Sequence, residues 1–221
     1  MSESMNKLPK IELKFQIVML VLARILLGYL FFTQLWWKVP PSFGCPADFA
    51  FTTADANGRL QRTSGLCDWI GIESAWSARE RPLLVADLGS IGGPKLAINI
   101  GFLAKPNGAF IQNFVEPNIA WFGYVVWGME AFIFVSLFFG LFSRLGGLVA
   151  IAQSMQLLVG LAGIGSPYEW EWAYNLMVML SLLVFAFAPG RTFGLDALIR
   201  PRLLAAAEKG NKLAGALAWL T

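Results

Sequence analysis

Two charges set inside apolar runs pose the first chemical question. Arg24 lies within "LARILLGYLFFTQLWWK" and Glu130 within "WFGYVVWGMEAFIFVSLFFG". A charge held in hydrocarbon is costly unless it is paired or used. At helical spacing, positions 24, 28, 31, 35 and 38 share one face. That face carries Arg24, Gly28, Phe31, Leu35 and Lys38, with Gln34 at its edge. In the second run, Gly123, Trp127, Glu130 and Phe134 share a face in the same way. Arg24 lies about 12 Å from the inner end of its run and Glu130 about 18 Å from either end of its own, at helical rise. The depths differ by about one turn, so an Arg24–Glu130 ion pair is expected, which removes most of the cost of each charge. Two readings follow. In one, the pair and the amides and hydroxyls of Gln153, Ser154, Gln156, Asn175 and Ser181 fix helix register and depth. In the other, they line a polar pocket open to the outer leaflet, suited to a quinone headgroup or to a small anion beside Lys38.

Other chemistries are excluded by composition. The chain has no histidine, which removes bis-histidine haem, histidine-ligated copper or di-iron sites, and histidine acid–base roles. Its two cysteines are too few for an iron–sulfur cluster or a structural zinc site of its own. No metal site and no haem are expected from this chain. The net charge of +3 comes without a long basic run, so it points to membrane topology and not to nucleic acid.

The elements that must position these residues are membrane helices. Of 221 residues, 57% are hydrophobic and 14% charged, where a soluble domain is usually about a quarter charged. Four apolar runs reach the roughly 17–25 residues that a crossing needs: about 16–37, 118–142, 145–164 and 170–188. The short links "FSRLGG" and "GIGSPYEWEW" make consecutive helices antiparallel neighbours. The expected fold is an all-α integral membrane protein, a four-transmembrane-helix antiparallel bundle. Lys7, Lys10, Lys14, Arg144, Arg191, Arg200, Arg202, Lys209 and Lys212 collect on one side, which predicts that both termini are cytoplasmic. Trp36, Trp37, Trp121, Trp170 and Trp172 fall at the outer ends, as an aromatic belt should. The first run is too long for a signal peptide, and "VPPSFGCPADFA" is a poor cleavage site, so an uncleaved anchor is expected.

Residues 38–117 form a long extracytoplasmic insertion between the first two helices. "VPPSFGCP", "DANGR" and "TSGLCDW" are rich in turn residues, and a short hairpin across "DANGR" has "DFAFTTA" as one arm. Cys45 and Cys67 lie on the oxidising side, where a disulfide is expected. It would staple a segment with little core of its own. A redox-active pair is the alternative, but nothing like CxxC supports it. "PLLVADLGSIGGPKLAINIGFLAKP" is too interrupted to span and is read as packing over the outer mouth or lying in the interface. "PNGAFIQNFVEPN" is read as a short surface helix with Phe110, Ile111 and Phe114 toward the membrane. Residues 189–221 form a cytoplasmic amphipathic tail.

Three stretches resemble one family. "RILLGYLFFTQLWWKV" is similar to the opening of DoxX/DoxD-like membrane proteins, "WFGYVVWGMEAFIFVSLFFGLFSRLGGL" to their second helix, and "EWEWAYNLMVMLSLLVFAFAPGRTFGLDALI" to their last helix and its "GR…GxD" ending. The cysteine-bearing outer segment departs from short DoxX proteins and leans toward the DoxD-like subunit of a thiosulfate:quinone oxidoreductase. The resemblance implies a subunit of an oxidoreductase complex in a bacterial or archaeal cell membrane, with partner subunits in the bilayer or outside it. It carries over Arg24, Gly28, Lys38, Glu130, Arg144, Arg191 and Asp196 as motif positions. Asp196 also reads simply as a cap of a tail helix or a partner of Arg191. Electrons would pass from thiosulfate or a related sulfur anion to quinone. Lys38 and Glu130 are the candidate catalytic residues, with Glu130 taking a proton from quinol. Arg24, Gly28, Gln34, Lys38, Trp127 and Glu130 are the candidate quinone-binding set. The alternative is a non-catalytic accessory subunit of a larger respiratory or photosynthetic complex.

Overall fold

A helix satisfies its own backbone groups, so apolar runs without water partners fold as helices. The computed structural model describes residues 10–77, 82–87, 95–161 and 171–221. Helix α1 spans Lys10–Leu35 and ends in a 3-10 turn, Trp36–Lys38. A two-residue pair follows, β1 (Thr53–Ala54) with β2 (Leu60–Gln61), antiparallel across "DANGR". Asp55 closes that hairpin, accepting from the main-chain N–H groups of Asn57 and Arg59 at 2.9 and 2.7 Å. This is an Asx-type turn. Helix α2 is Gly65–Trp76. Strands β3 (Pro82–Asp87) and β4 (Lys95–Asn99) pair antiparallel within the interrupted stretch, whose "LGSIGGP" lies outside the described residues.

The second apolar run starts earlier than expected. Helix α3 (Gly101–Phe110), a π turn (Ile111–Val115), a 3-10 turn (Glu116–Asn118) and α4 (Ile119–Phe139) succeed one another without a break. Pro106 and Pro117 both lie within this run. Pro117 sits at the start of a turn, where its missing N–H is harmless, and the π turn follows Pro106. Phe110 and Phe114 are exposed as expected, but Ile111 is buried and packs inward. Helices α5 (Ser143–Leu161) and α6 (Glu171–Phe187) come next. The tail is two helices, α7 (Asp196–Glu208) and α8 (Lys212–Leu220), broken at Gly210. Among the described residues, three helical stretches are long and apolar enough to cross a membrane: Ile11–Lys38, Gly101–Phe139 and Ser143–Leu161. Ala173–Phe187 is a shorter apolar helix, and the expected start of the fourth crossing at 170 lies outside the described residues.

The chain divides into two compact units. The first takes Met1–Thr33, Met129–Ile151 and Met177–Thr221. Its core is Leu27, Phe31, Ile133, Leu137, Ala150 and Val184. Here α1 and α4 run in opposed register: Phe32 lies 4.6 Å from Phe134 between ring centroids. One turn back, a Cβ on Gly28 would come within 2.8 Å of the Phe138 main-chain nitrogen, so only glycine permits this approach. Leu26, Tyr29, Val135 and Phe139 point outward, as lipid-facing side chains do.

The second unit takes Gln34–Gly128 and Ala152–Leu176. Its core joins Phe43, Leu66, Cys67 and Ile70 to Ile111, Val115, Ile119 and Val126. Cys45 and Cys67 are disulfide-bonded, as the sequence led us to expect. Gly44 and Gly65 pack backbone to backbone beside the bridge. Both have positive φ, +70° and +60°, so no other residue fits either place without strain.

Candidate functional site

Arg24, Gly28 and Glu130 belong to the first unit, and Gln34, Lys38 and Trp127 to the second.

In the first unit, Arg24 is 1% exposed, and its guanidinium occupies a notch made by two glycines. A Cβ on Gly140 would overlap Nη1, and one on Gly194 would come within 2.6 Å of it. Gly140 has φ +67° and ends α4 in the left-handed conformation that glycine favours. The acid whose field acts on Arg24 is Asp196, not the expected Glu130. The register explains the difference. Arg24 meets the end of α4 at Gly140, whereas Glu130 lies about ten residues away along that helix, about 15 Å at helical rise. Glu130 is itself buried, at 3% exposure.

Asp196 is fully buried and does more than face Arg24. Its Oδ1 accepts from the main-chain N–H of Phe142 at 2.6 Å. Its Oδ2 accepts from the N–H of Ser143 at 2.8 Å and from the Ser143 hydroxyl at 2.6 Å. Asp196 therefore caps the start of α5 from a distant part of the chain, where a carboxylate also meets the positive end of the helix dipole. It does this from the first turn of α7, where the sequence suggested a cap of that tail helix or a partner of Arg191. Two main-chain bonds, Leu195 N–H to Phe139 O at 3.0 Å and Asp196 N–H to Gly140 O at 2.8 Å, hold the turn against the end of α4.

Arg144 and Arg191 fasten the same unit. Arg144 donates to the carbonyls of Phe185, Ala186 and Trp219, and its guanidinium stands 5.1 Å from the Trp219 ring centroid. The first two carbonyls end α6, where a cation is favoured. Arg191 donates to Thr221 O at 2.8 Å and Trp219 O at 2.9 Å. Burial, then Arg144 and Arg200, lower the Arg191 pKa from its ordinary value, while Asp196 opposes them.

The second unit sets Lys38 beside indole rings. Lys38 is 5% exposed, and its ammonium lies 4.4 Å from the Trp37 ring centroid, a cation–π contact. Trp37 donates its indole N–H to Gln34 Oε1 at 3.1 Å and lies 6.5 Å from Trp69 of α2. Trp127 donates to the Leu35 carbonyl at 3.3 Å, on the turn that carries Lys38. Gln34, Lys38 and Trp127 thus come together with Trp37 and Trp69. Trp69 was missed because α2 was read as turn-rich loop. The helical repeat of Leu66, Trp69, Ile70 and Glu73 was the available signal.

The same helix holds two buried acids. Asp68 accepts from the Thr52 hydroxyl at 2.6 Å and is ion-paired with Arg62. Burial alone would raise its pKa, but the hydrogen bonds from Arg62 and Thr52 and the charge of Arg62 bring it below the usual carboxylate value. Glu73, 4% exposed, accepts from the Gln156 amide of α5 at 2.7 Å. Among the described residues, no group of three or more His, Cys, Asp or Glu could hold a metal ion.

Residues 97–219, more than half of the chain, match a family model described as the TQO small subunit DoxD. No curated protein and no solved structure matches. The matched range includes Glu130, Arg144, Arg191 and Asp196, while Arg24, Lys38 and both cysteines precede it.

Proposed function

The chain belongs to the DoxD family, and from that premise we propose that it is the membrane subunit of a thiosulfate:quinone oxidoreductase complex. Three long apolar helices make it a membrane protein. In this reading Ala173–Phe187 and the residues before it make a fourth crossing. The basic side of the bundle, with both ends of the chain, then faces the cytoplasm of a bacterial or archaeal cell membrane.

The observation that carries the reading is the buried Lys38 under Trp37, with Gln34, Trp69 and Trp127 around it. Flat indoles offer stacking surface to a quinone ring, and a buried ammonium and an amide offer donors to its carbonyl oxygens. Quinone, when bound, supplies the two-electron acceptor. Lys38 binds and polarises that acceptor, and its positive potential attracts a sulfur anion arriving from outside. Glu130 keeps its assignment as an acid that exchanges protons with the quinone pool. A partner subunit receives the donor.

The test is quinone reduction by thiosulfate with the complex purified in mild detergent. Lys38→Ala is expected to lower turnover at least tenfold. Unchanged turnover would remove Lys38 from the site. A second reading has its own support. Arg24, Gly140, Gly194 and Asp196 converge on a buried structural knot, which suits a non-catalytic accessory subunit of a larger membrane complex. Co-purification with such a complex, and no thiosulfate-dependent quinone reduction, would favour it.

A further inference from the structure

The first unit gathers cations that no acidic side chain pairs with. Arg144 of α5 and Arg191 of the 3-10 turn after α6 meet at one acceptor. Arg144 Nη1 donates to Trp219 O at 3.3 Å, and Arg191 Nη2 donates to the same oxygen at 2.9 Å. Two like charges are thus held side by side on a neutral carbonyl. Arg200 of α7 lies within electrostatic reach of Arg191 and adds a third. It is part-buried, and its guanidinium makes no hydrogen bond among the described residues. Its buried Nε is one of the orphaned donors, and such a group costs free energy until an acceptor reaches it. Among the described residues, no Asp or Glu forms an ion pair with any of the three arginines. Asp196 lies one turn before Arg200 on α7, but its oxygens already accept from Phe142 and Ser143.

The surroundings say what kind of anion fits. Arg144 is the second residue of α5, an apolar helix long enough to cross a membrane, so the cluster stands where that crossing ends. Trp219 is 53% exposed although both arginines hold its carbonyl, and Phe193, Leu195 and Leu198 are exposed as well. Exposed apolar side chains beside cations at the end of a crossing are the pattern of a lipid interface. Charge that only orients the helices could lie apart in water, whereas here three guanidiniums are brought together. We propose that Arg191 and Arg200 bind the phosphate of an anionic phospholipid, with Arg144 adding its positive potential and Trp219 packing against the lipid. Arg191 Nη1 makes no protein hydrogen bond and is left for a phosphate oxygen, as is the Arg200 guanidinium. A zwitterionic lipid offers the same phosphate but brings a cation back to the cluster. A free phosphate would answer the charges and leave the indole and the leucines in water. Arg202, Lys209 and Lys212, all exposed on the tail against the one exposed acid Glu208, add to the attraction.

Native mass spectrometry of the detergent-purified protein tests this, with phosphatidylglycerol and phosphatidylcholine of the same acyl chains titrated in turn. The wild type is expected to retain the anionic lipid and to hold the zwitterionic one markedly less. Arg200→Gln breaks no hydrogen bond within the protein and is expected to fold as the wild type does. It is expected to lower phosphatidylglycerol affinity about fivefold, the share of one basic residue at a lipid surface. Equal retention of the two lipids by the wild type, or undiminished phosphatidylglycerol binding by Arg200→Gln, overturns the proposal. Inorganic phosphate, with ionic strength matched by chloride, is expected to displace little of the bound lipid. Full displacement would make this a site for free phosphate and overturn the lipid. Should Arg200→Gln not accumulate as folded protein, Arg200→Lys carries the test, because it keeps the charge and loses the planar fork. Weaker phosphatidylglycerol binding is expected there too, and unchanged binding refutes the role of Arg200.

Discussion

Asp196 is the residue whose removal the structure prices most clearly. Asp196→Ala deletes a fully buried carboxylate that accepts from two main-chain N–H groups and one hydroxyl, at 2.6, 2.8 and 2.6 Å. Hydrogen bonds to a charged group contribute about 1.5–3 kcal/mol each, and they are not additive. Asp196 also lies within electrostatic reach of the buried Arg24. The expected loss is about 3–5 kcal/mol for the three hydrogen bonds taken together, read by denaturant unfolding in detergent micelles. Asp196→Asn, which keeps one acceptor, is expected to lose about 2 kcal/mol, near the lower end of the same range. A double-mutant cycle locates the partner. Arg24→Met combined with Asp196→Asn is expected to show a coupling of about 1–3 kcal/mol, and Arg24→Met with Glu130→Gln close to none. Strong coupling to Glu130 with none to Asp196 would refute the register of α1 on α4 described above. So would an Asp196→Ala protein as stable as wild type.

Further outcomes are expected elsewhere. Cys45→Ser with Cys67→Ser opens a loop of sequence separation 22, and in the chain-entropy model costs about 3 kcal/mol; limited proteolysis of the segment between α1 and α3 would show it. The lowered pKa of Asp68 gives that segment a pH dependence. Its stabilisation is full above the unfolded carboxylate value, about 3.9, and is lost as pH falls through the lower folded value. Asp68→Asn is expected to remove that acid limb from an intrinsic tryptophan fluorescence titration, and a persisting limb would place it elsewhere. Gly140→Ala puts a methyl group onto Nη1 of Arg24 at φ +67° and is expected to destabilise by about 2–4 kcal/mol, combining backbone strain with overpacking; a variant as stable as wild type would show that the notch yields.

Apolar length alone was enough to find the long helices, because nothing but a helix hides its backbone in lipid. "DANGR" announced its hairpin through Asp55, which satisfies two N–H groups locally. The disulfide followed from compartment and count. The partner of Arg24 was not legible in the same way. Depth counted from span ends assumed that both helices begin together, and Asp196 approaches from a segment outside either helix. The start of the second run was read too late, because turns of altered pitch carry the helix from Gly101 on into α4. The surroundings of Lys38 were half legible. Gln34, Lys38 and Trp127 could be listed from helical faces, but Trp69 and Glu73 needed the docking of α2, a tertiary event that no local spacing reports.

The cap on α5 has a consequence for how the protein is made. Ser143 opens α5, and the carboxylate that receives its N–H lies 53 residues later. A ribosome finishes α5 and α6 before Asp196 is synthesised. During that interval the first N–H groups of α5 await their acceptor, and Arg24 awaits the acid that faces it. The cap on α5 therefore forms only after the stretch that follows α6 has been made. A nascent chain halted before residue 196 would hold its helices but not this cap.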